Sequence, residues 1–152
     1  MIQIRNELLI NKPKEDTFKF LSQFENIPLW NYYVKSVKKI SSNNSGSGTI
    51  YHQIRKNDQQ KFKVIEYNPP GLIAIETIDD SSPRFRRTFK LNQTNDQTLL
   101  DDTFEVDTGS PVILERLLKN KVKKAVSNNL HNLKDLLENG KTILPDGRSV
   151  HI

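Results

Sequence analysis

PVILERLLKNKVKKAVSNNLHNLKDLLEN, residues 111–139, reads as one uninterrupted amphipathic helix closing a chain otherwise dominated by strand signals. At 1.5 Å per residue a helix of this length spans roughly 43 Å, longer than a small domain is wide. Ser110 is placed as N-cap, Pro111 suits the first helical position, and Gly140 suits the stop. The apolar stripe runs through Leu114, Leu117, Leu118, Val122, Ala125, Val126, Leu130, Leu133, Leu136 and Leu137. Arg116, Lys123, Ser127, His131 and Lys134 take the opposite face. Many steps in the stripe are fours, so it drifts around the helix as if crossing a twisted surface. A curved antiparallel sheet would supply that surface, and a sheet curled around one helix tends to enclose a cavity.

The preceding hundred residues supply the sheet. Ile2 to Ile10 alternates as a first strand. Pro13, with Glu15 and Asp16 behind it, opens a short helix whose apolar face is Phe18, Leu21 and Phe24. Residues 25–30, with Pro28, form a second short helix, and the two make a cradle for the long one. Strands are expected at about 33–41, 48–56, 61–68, 72–79, 83–92 and 97–107, separated by Asn-, Gly- and Pro-rich turns. Short links between consecutive strands mean an antiparallel meander. The class is therefore α+β: two short helices after the first strand, and a curved antiparallel sheet of about seven strands around a long C-terminal helix.

At 152 residues the chain is expected to be one domain, 1–152, with residues 141–152 as a loosely packed tail. The absence of Cys excludes disulfides, thiolate metal sites and a Cys nucleophile, and suits a cytoplasmic location. The N-terminal residues lack the layout of a signal peptide, and no apolar run is long enough to span a membrane. The net charge of +5 is concentrated in Arg84, Arg86, Arg87 and Lys90, and in Lys119, Lys121, Lys123 and Lys124. Such a surface is either solvated lysine or a site for an anionic membrane. Nucleic acid is not expected, because no aromatics interleave with the basic residues.

The element order, with Phe24-Glu25-Asn26-Ile27-Pro28-Leu29-Trp30-Asn31, Gly46-Ser47-Gly48-Thr49, Glu66-Tyr67-Asn68-Pro69-Pro70 and Asn129-Leu130-His131-Asn132-Leu133-Lys134, resembles the START-like (SRPBCC) superfamily. Within it, the chain is similar to the bacterial polyketide cyclase/dehydrase-like proteins. The resemblance covers nearly the whole chain and implies the helix-grip fold. It implies no single reaction, since the superfamily spans lipid carriers, hormone and quinone binders, and cyclases.

Chemistry is sought where polar residues fall in phase with apolar ones. His52 lies between Ile50 and Ile54, Glu66 follows Val64, and Glu76 follows Ala74. Arg87 lies between Phe85 and Phe89, and Asp102 between Leu100 and Phe104. Each either lines a polar cavity or is misphased by a bulge. A hairpin turning at Thr94-Asn95 sets Arg87 opposite Asp102; a turn one residue later still leaves both on one face. The two are expected to form an ion pair. Leu29, Trp30 and Tyr33, with Tyr32 and Tyr51 nearby, are aromatic and apolar candidates for the cavity wall or mouth, as are Leu118 and Val122 on the long helix. Trp30 is equally suited to plugging the core. With no Cys and no His-x-x-x-His spacing no metal site is expected, and no cofactor is indicated. The function read from these residues is binding of a small hydrophobic or amphipathic molecule (lipid, quinone or polyketide-like) by a monomer or homodimer. The alternatives are a cyclase or dehydratase using His52, Arg87 or a carboxylate, and an adaptor acting through its basic surface.

Overall fold

The computed structural model describes Met1–Ile152. Its elements are β1 (Ile2–Ile10), α1 (Lys14–Ser22), a 3-10 turn (Phe24–Asn26) and α2 (Ile27–Trp30). There follow β2 (Val34–Lys39), β3 (Ile50–Arg55), β4 (Gln59–Asn68), β5 (Leu72–Ile78), β6 (Arg84–Thr94) and β7 (Gln97–Asp107). The chain then forms α3 (Val112–Asn139), β8 (Lys141–Ile143) and β9 (Ser149–His151). The seven-stranded antiparallel sheet runs β1-β7-β6-β5-β4-β3-β2. This is the helix-grip fold expected from the sequence. Sequence-adjacent β1 and β2 occupy opposite edges, so α1 and α2 between them must cross the sheet, and α2 meets α3.

The concave face forms the core. Phe62, Ile10, Leu100, Leu133 and Leu136 are fully buried. Phe24, Tyr51 and Phe62 pack ring against ring, with centroids 5.2–5.5 Å apart. On the outer face Arg5 grips Asp101 across β1 and β7 with bonds of 2.7 and 3.1 Å. That hydrogen bond from Arg5 holds the Asp101 carboxyl below its ordinary range, against the opposing effect of partial burial. A depressed carboxyl stabilises the fold above its unfolded pKa, and the benefit disappears as pH falls through the folded value. Arg5→Gln is therefore expected to unfold slightly more easily than the parent near neutrality. In urea titrations that difference should begin to shrink as pH falls below the ordinary carboxylate pKa of about 3.9 and close only below the depressed value of Asp101.

Three local expectations need correction. The long helix starts at Val112 with extended Pro111 as its cap residue, and no side chain caps it, so Ser110 does not serve that role. Gly140 ends it as expected, at φ 72° with its N–H donating to the Leu136 carbonyl. The tail is not loose: β8 and β9 form a hairpin that buries Thr142 and Leu144, and the Thr142 hydroxyl donates to Asn132 Oδ1 of α3 at 3.1 Å. Leu114 and Leu117 leave the buried stripe and stand exposed. The C-terminal half of α3, from Val126 onward, carries the packing against the sheet, while its first half spans a gap.

Candidate functional site

That gap is a cavity of about 380 Å³ between α2, α3 and the concave faces of β3 to β7. Ile27, Trp30, Ile75, Phe85, Phe89, Phe104 and Val106 make most of its wall, and Leu118, Val122, Ala125 and Val126 of α3 close it. The apolar side chains arrive by strand alternation: Phe85, Arg87 and Phe89 of β6, and Asp102, Phe104 and Val106 of β7, point inward in turn.

Arg87 and Asp102 sit among these rings. The hairpin turns at Asn95-Asp96, with Asn95 at φ 55°, so Arg87 faces Phe104 and Asp102 faces Phe89. The turn lies one residue later than Thr94-Asn95, the second of the two expected registers, and the pair is diagonal instead of directly opposed. Nε and Nη2 of Arg87 donate to the two carboxylate oxygens of Asp102 at 2.9 and 2.7 Å. Asp102 is 1% exposed and Arg87 8%. The guanidinium carbon lies 4.9, 5.2 and 5.6 Å from the ring centres of Phe89, Phe104 and Trp30. An arginine suits such a site, because its flat, weakly hydrated cation stacks on rings while its edge forks onto a carboxylate. The fork leaves Nη1 without a protein partner.

Two further polar groups enter the cavity. Gln53 donates to Gln60 at 3.0 Å and Gln60 to the Pro83 carbonyl at 2.6 Å, forming a chain along the wall. Asn129 of α3 is 5% exposed, and its Oδ1 has no hydrogen-bond partner in the protein. Sequence reading took the inward helix face as aliphatic and missed Asn129. The signal was present, since Asn129 lies three residues from both Val126 and Asn132 and so falls inside the apolar stripe. At the rim stand Tyr33, Arg55 and Lys121, with Arg55 3.6 Å from Asp58.

Of the sequence candidates, Trp30, Tyr33, Arg87, Leu118 and Val122 line this cavity, and Asp102 backs it through Arg87. Trp30 fills both proposed roles, buried in the core and contributing to the wall. Leu29 packs beside the core but outside the cavity lining. His52, Glu66 and Glu76 stand on the outer face. His52 shares that face with Ile50 and Ile54 and bonds Gln59 at 2.8 Å, while Tyr51 and Gln53 point inward. The pairing of β4 with β5 slips between Val64 and Glu66, and the bulge turns Glu66 outward toward Arg86 at 3.6 Å. Glu76 follows Leu72 and Ala74, which lie on the outer side of β5 while Ile73, Ile75 and Thr77 lie on the inner. Apolar residues on both faces of β3 and β5 thus reversed the inferred phase.

A second hollow, about 570 Å³, opens between α1 and the turn around Ser45 and Gly46. Tyr51 and Tyr67 reach it, beside Lys19, Gln23 and Glu25. Tyr51 therefore lies away from the mouth of the inner cavity. The lining of this hollow is mostly polar, and no unpartnered buried polar atom faces it. No group of three or more His, Cys, Asp or Glu is arranged to hold a metal, and no helix is long and apolar enough to cross a membrane.

The fold recurs in solved structures. A protein from Thermus thermophilus is 14% identical with a TM-score of 0.73, over 89% of this chain and 96% of that one. The Aha1 dimer from Colwellia psychrerythraea is 18% identical with a TM-score of 0.70, over 93% and 100%. XoxI from Bacillus cereus is 13% identical with a TM-score of 0.72, over 90% and 96%. At such identities the likeness is one of fold. None of the curated protein sequences matches this chain. Residues 1–138 match the family described as polyketide cyclase/dehydrase and lipid transport, and the chain belongs to that family.

Proposed function

We propose that the protein binds a small amphipathic molecule in the cavity between α3 and the sheet. The observation that carries this reading is an apolar chamber holding a buried polar atom that the protein leaves unpaired, the Asn129 Oδ1 acceptor, with the Arg87 guanidinium in the same wall donating to Asp102 only through Nε and Nη2. Burying an unpaired polar group costs stability, so a ligand that supplies partners recovers free energy on binding. Its body would be apolar or aromatic, to suit the phenylalanine wall. It would carry one hydroxyl or amide donor for Asn129 and one carbonyl-type acceptor for Arg87. Lys121 at the rim favours an acidic end on that side. A lipid, quinone or polyketide-like compound meets this description. The lining holds no Asp, Glu or His, and Asp102 is engaged at both oxygens, which favours binding over proton-transfer catalysis.

Trp30 is the only tryptophan and lies in the wall, so its fluorescence reports occupancy. Anilinonaphthalene sulfonate is expected to quench it by energy transfer, and Ala125→Phe, which puts a ring into the chamber, should weaken the effect. Quenching that persists unchanged in Ala125→Phe would place the dye elsewhere. Asn129→Leu offers a sharper test. Removing an unsatisfied acceptor is expected to raise stability by about 1–3 kcal/mol, measured by urea unfolding. The same change should weaken hydroxylated ligands about tenfold relative to their deoxy counterparts. A destabilised Asn129→Leu would mean the amide has partners in solution.

A further inference from the structure

The first half of α3 exposes apolar side chains that the cavity does not use. Val112 is 66% exposed, Ile113 77%, Leu114 45% and Leu117 74%. Isolated exposed leucines are ordinary, but four apolar side chains within six residues of one helix form a patch that water disfavours. Residues three and four apart share a helix face, so Ile113, Leu117, Lys121 and Lys124 lie on one side. From Val112 to Lys124 there are five cations, Arg116, Lys119, Lys121, Lys123 and Lys124, against one acid, Glu115. Glu115 is buried and paired with the Met1 ammonium at 2.8 Å, so the exposed surface of this segment is uniformly basic. The patch also adjoins the cavity mouth. Exposed Lys121 belongs to both, its neighbours Leu118 and Val122 line the cavity, and half-exposed Tyr33 also lines it. Next to it the Lys56 ammonium sits 3.3 Å above the Tyr32 ring.

We propose that the Val112–Lys124 segment of α3 docks the protein on an anionic lipid surface, with Ile113 and Leu117 entering the headgroup layer. Apolar side chains flanked by lysine, with tyrosines alongside, are the composition of a helix that lies in a membrane interface. Lys121 and Lys124 would meet lipid phosphates, each basic residue adding to the attraction. A second copy of the chain fits the patch less well, because a twofold contact would set one lysine cluster against another. Docking here presents the cavity mouth to the bilayer, the place where an apolar ligand is taken up or released without crossing water.

The test is co-sedimentation of the full chain with vesicles of phosphatidylcholine alone and with about one third phosphatidylglycerol. Binding is expected only to the anionic vesicles. Ile113→Ser with Leu117→Ser should lower partitioning at least about tenfold. Lys121→Glu with Lys124→Glu should do the same, and about 0.5 M salt should weaken the parent. Both pairs are exposed, and if one fails to fold the other still decides. No binding by the parent, equal binding to neutral vesicles, or binding indifferent to the serine pair would each overturn the proposal. So would a dimer in solution that the serine pair dissolves, since the patch would then be covered by a second copy. Docking and cavity binding fail independently, because dye quenching of Trp30 is read without vesicles.

Discussion

Asp102→Ala is expected to destabilise the protein by about 3–5 kcal/mol, because it strands the buried Arg87 cation without its carboxylate. Both oxygens of Asp102 are used, and its burial at 1% exposure leaves no water to replace them. Most of that cost is the desolvated charge left behind, not the intrinsic strength of the pair. The double change Arg87→Met with Asp102→Leu removes both charges and is expected to cost less than Asp102→Ala alone, by about 1 kcal/mol or more. Urea unfolding of the parent, Arg87→Met, Asp102→Leu and the double variant closes a cycle and gives the coupling energy. A loss below about 1 kcal/mol for Asp102→Ala would mean that water from the cavity already solvates the guanidinium.

The second large effect separates the two halves of α3. Leu133 is fully buried in the packed half, and Leu133→Ala is expected to cost about 3–4 kcal/mol through lost burial and the void left behind. Leu118 is only partly buried and already faces the cavity, so Leu118→Ala should cost less than about 1 kcal/mol. Ligand affinity should respond in the opposite order, falling for Leu118→Ala and holding for Leu133→Ala in whatever fraction remains folded. Equal stability losses at the two positions would mean that the gap beneath the first half of α3 closes in solution.

The fold was legible because its signals were long and redundant. The helix pattern over 111–139 and the evenly spaced turns fix a meander against a helix whatever the exact strand ends. The Arg87–Asp102 pair was legible for a narrower reason. Both residues lie in strands whose inward neighbours are strongly apolar, and a two-residue register shift preserves the face. His52, Glu66 and Glu76 were misplaced where that logic has no purchase. Ile50 and Ile54 are outward isoleucines, the pairing slip before Glu66 reverses phase, and Ala74 is buried on the outer side. Alternation alone does not say which of two apolar faces is concave; that depends on the curl of the whole sheet. Asn129 was overlooked because a polar residue within an aliphatic stripe reads as a small interruption, whereas its unpaired oxygen makes it a contact point for the ligand.

Native mass spectrometry of freshly purified protein, followed by solvent extraction, tests the central claim most directly. The account predicts a reproducible added mass on the parent chain, recovered as an apolar compound bearing hydroxyl or carbonyl oxygen, and reduced on folded Ala125→Phe. Equal loading of that variant, or a parent that stays at its bare mass when offered such compounds, would contradict it.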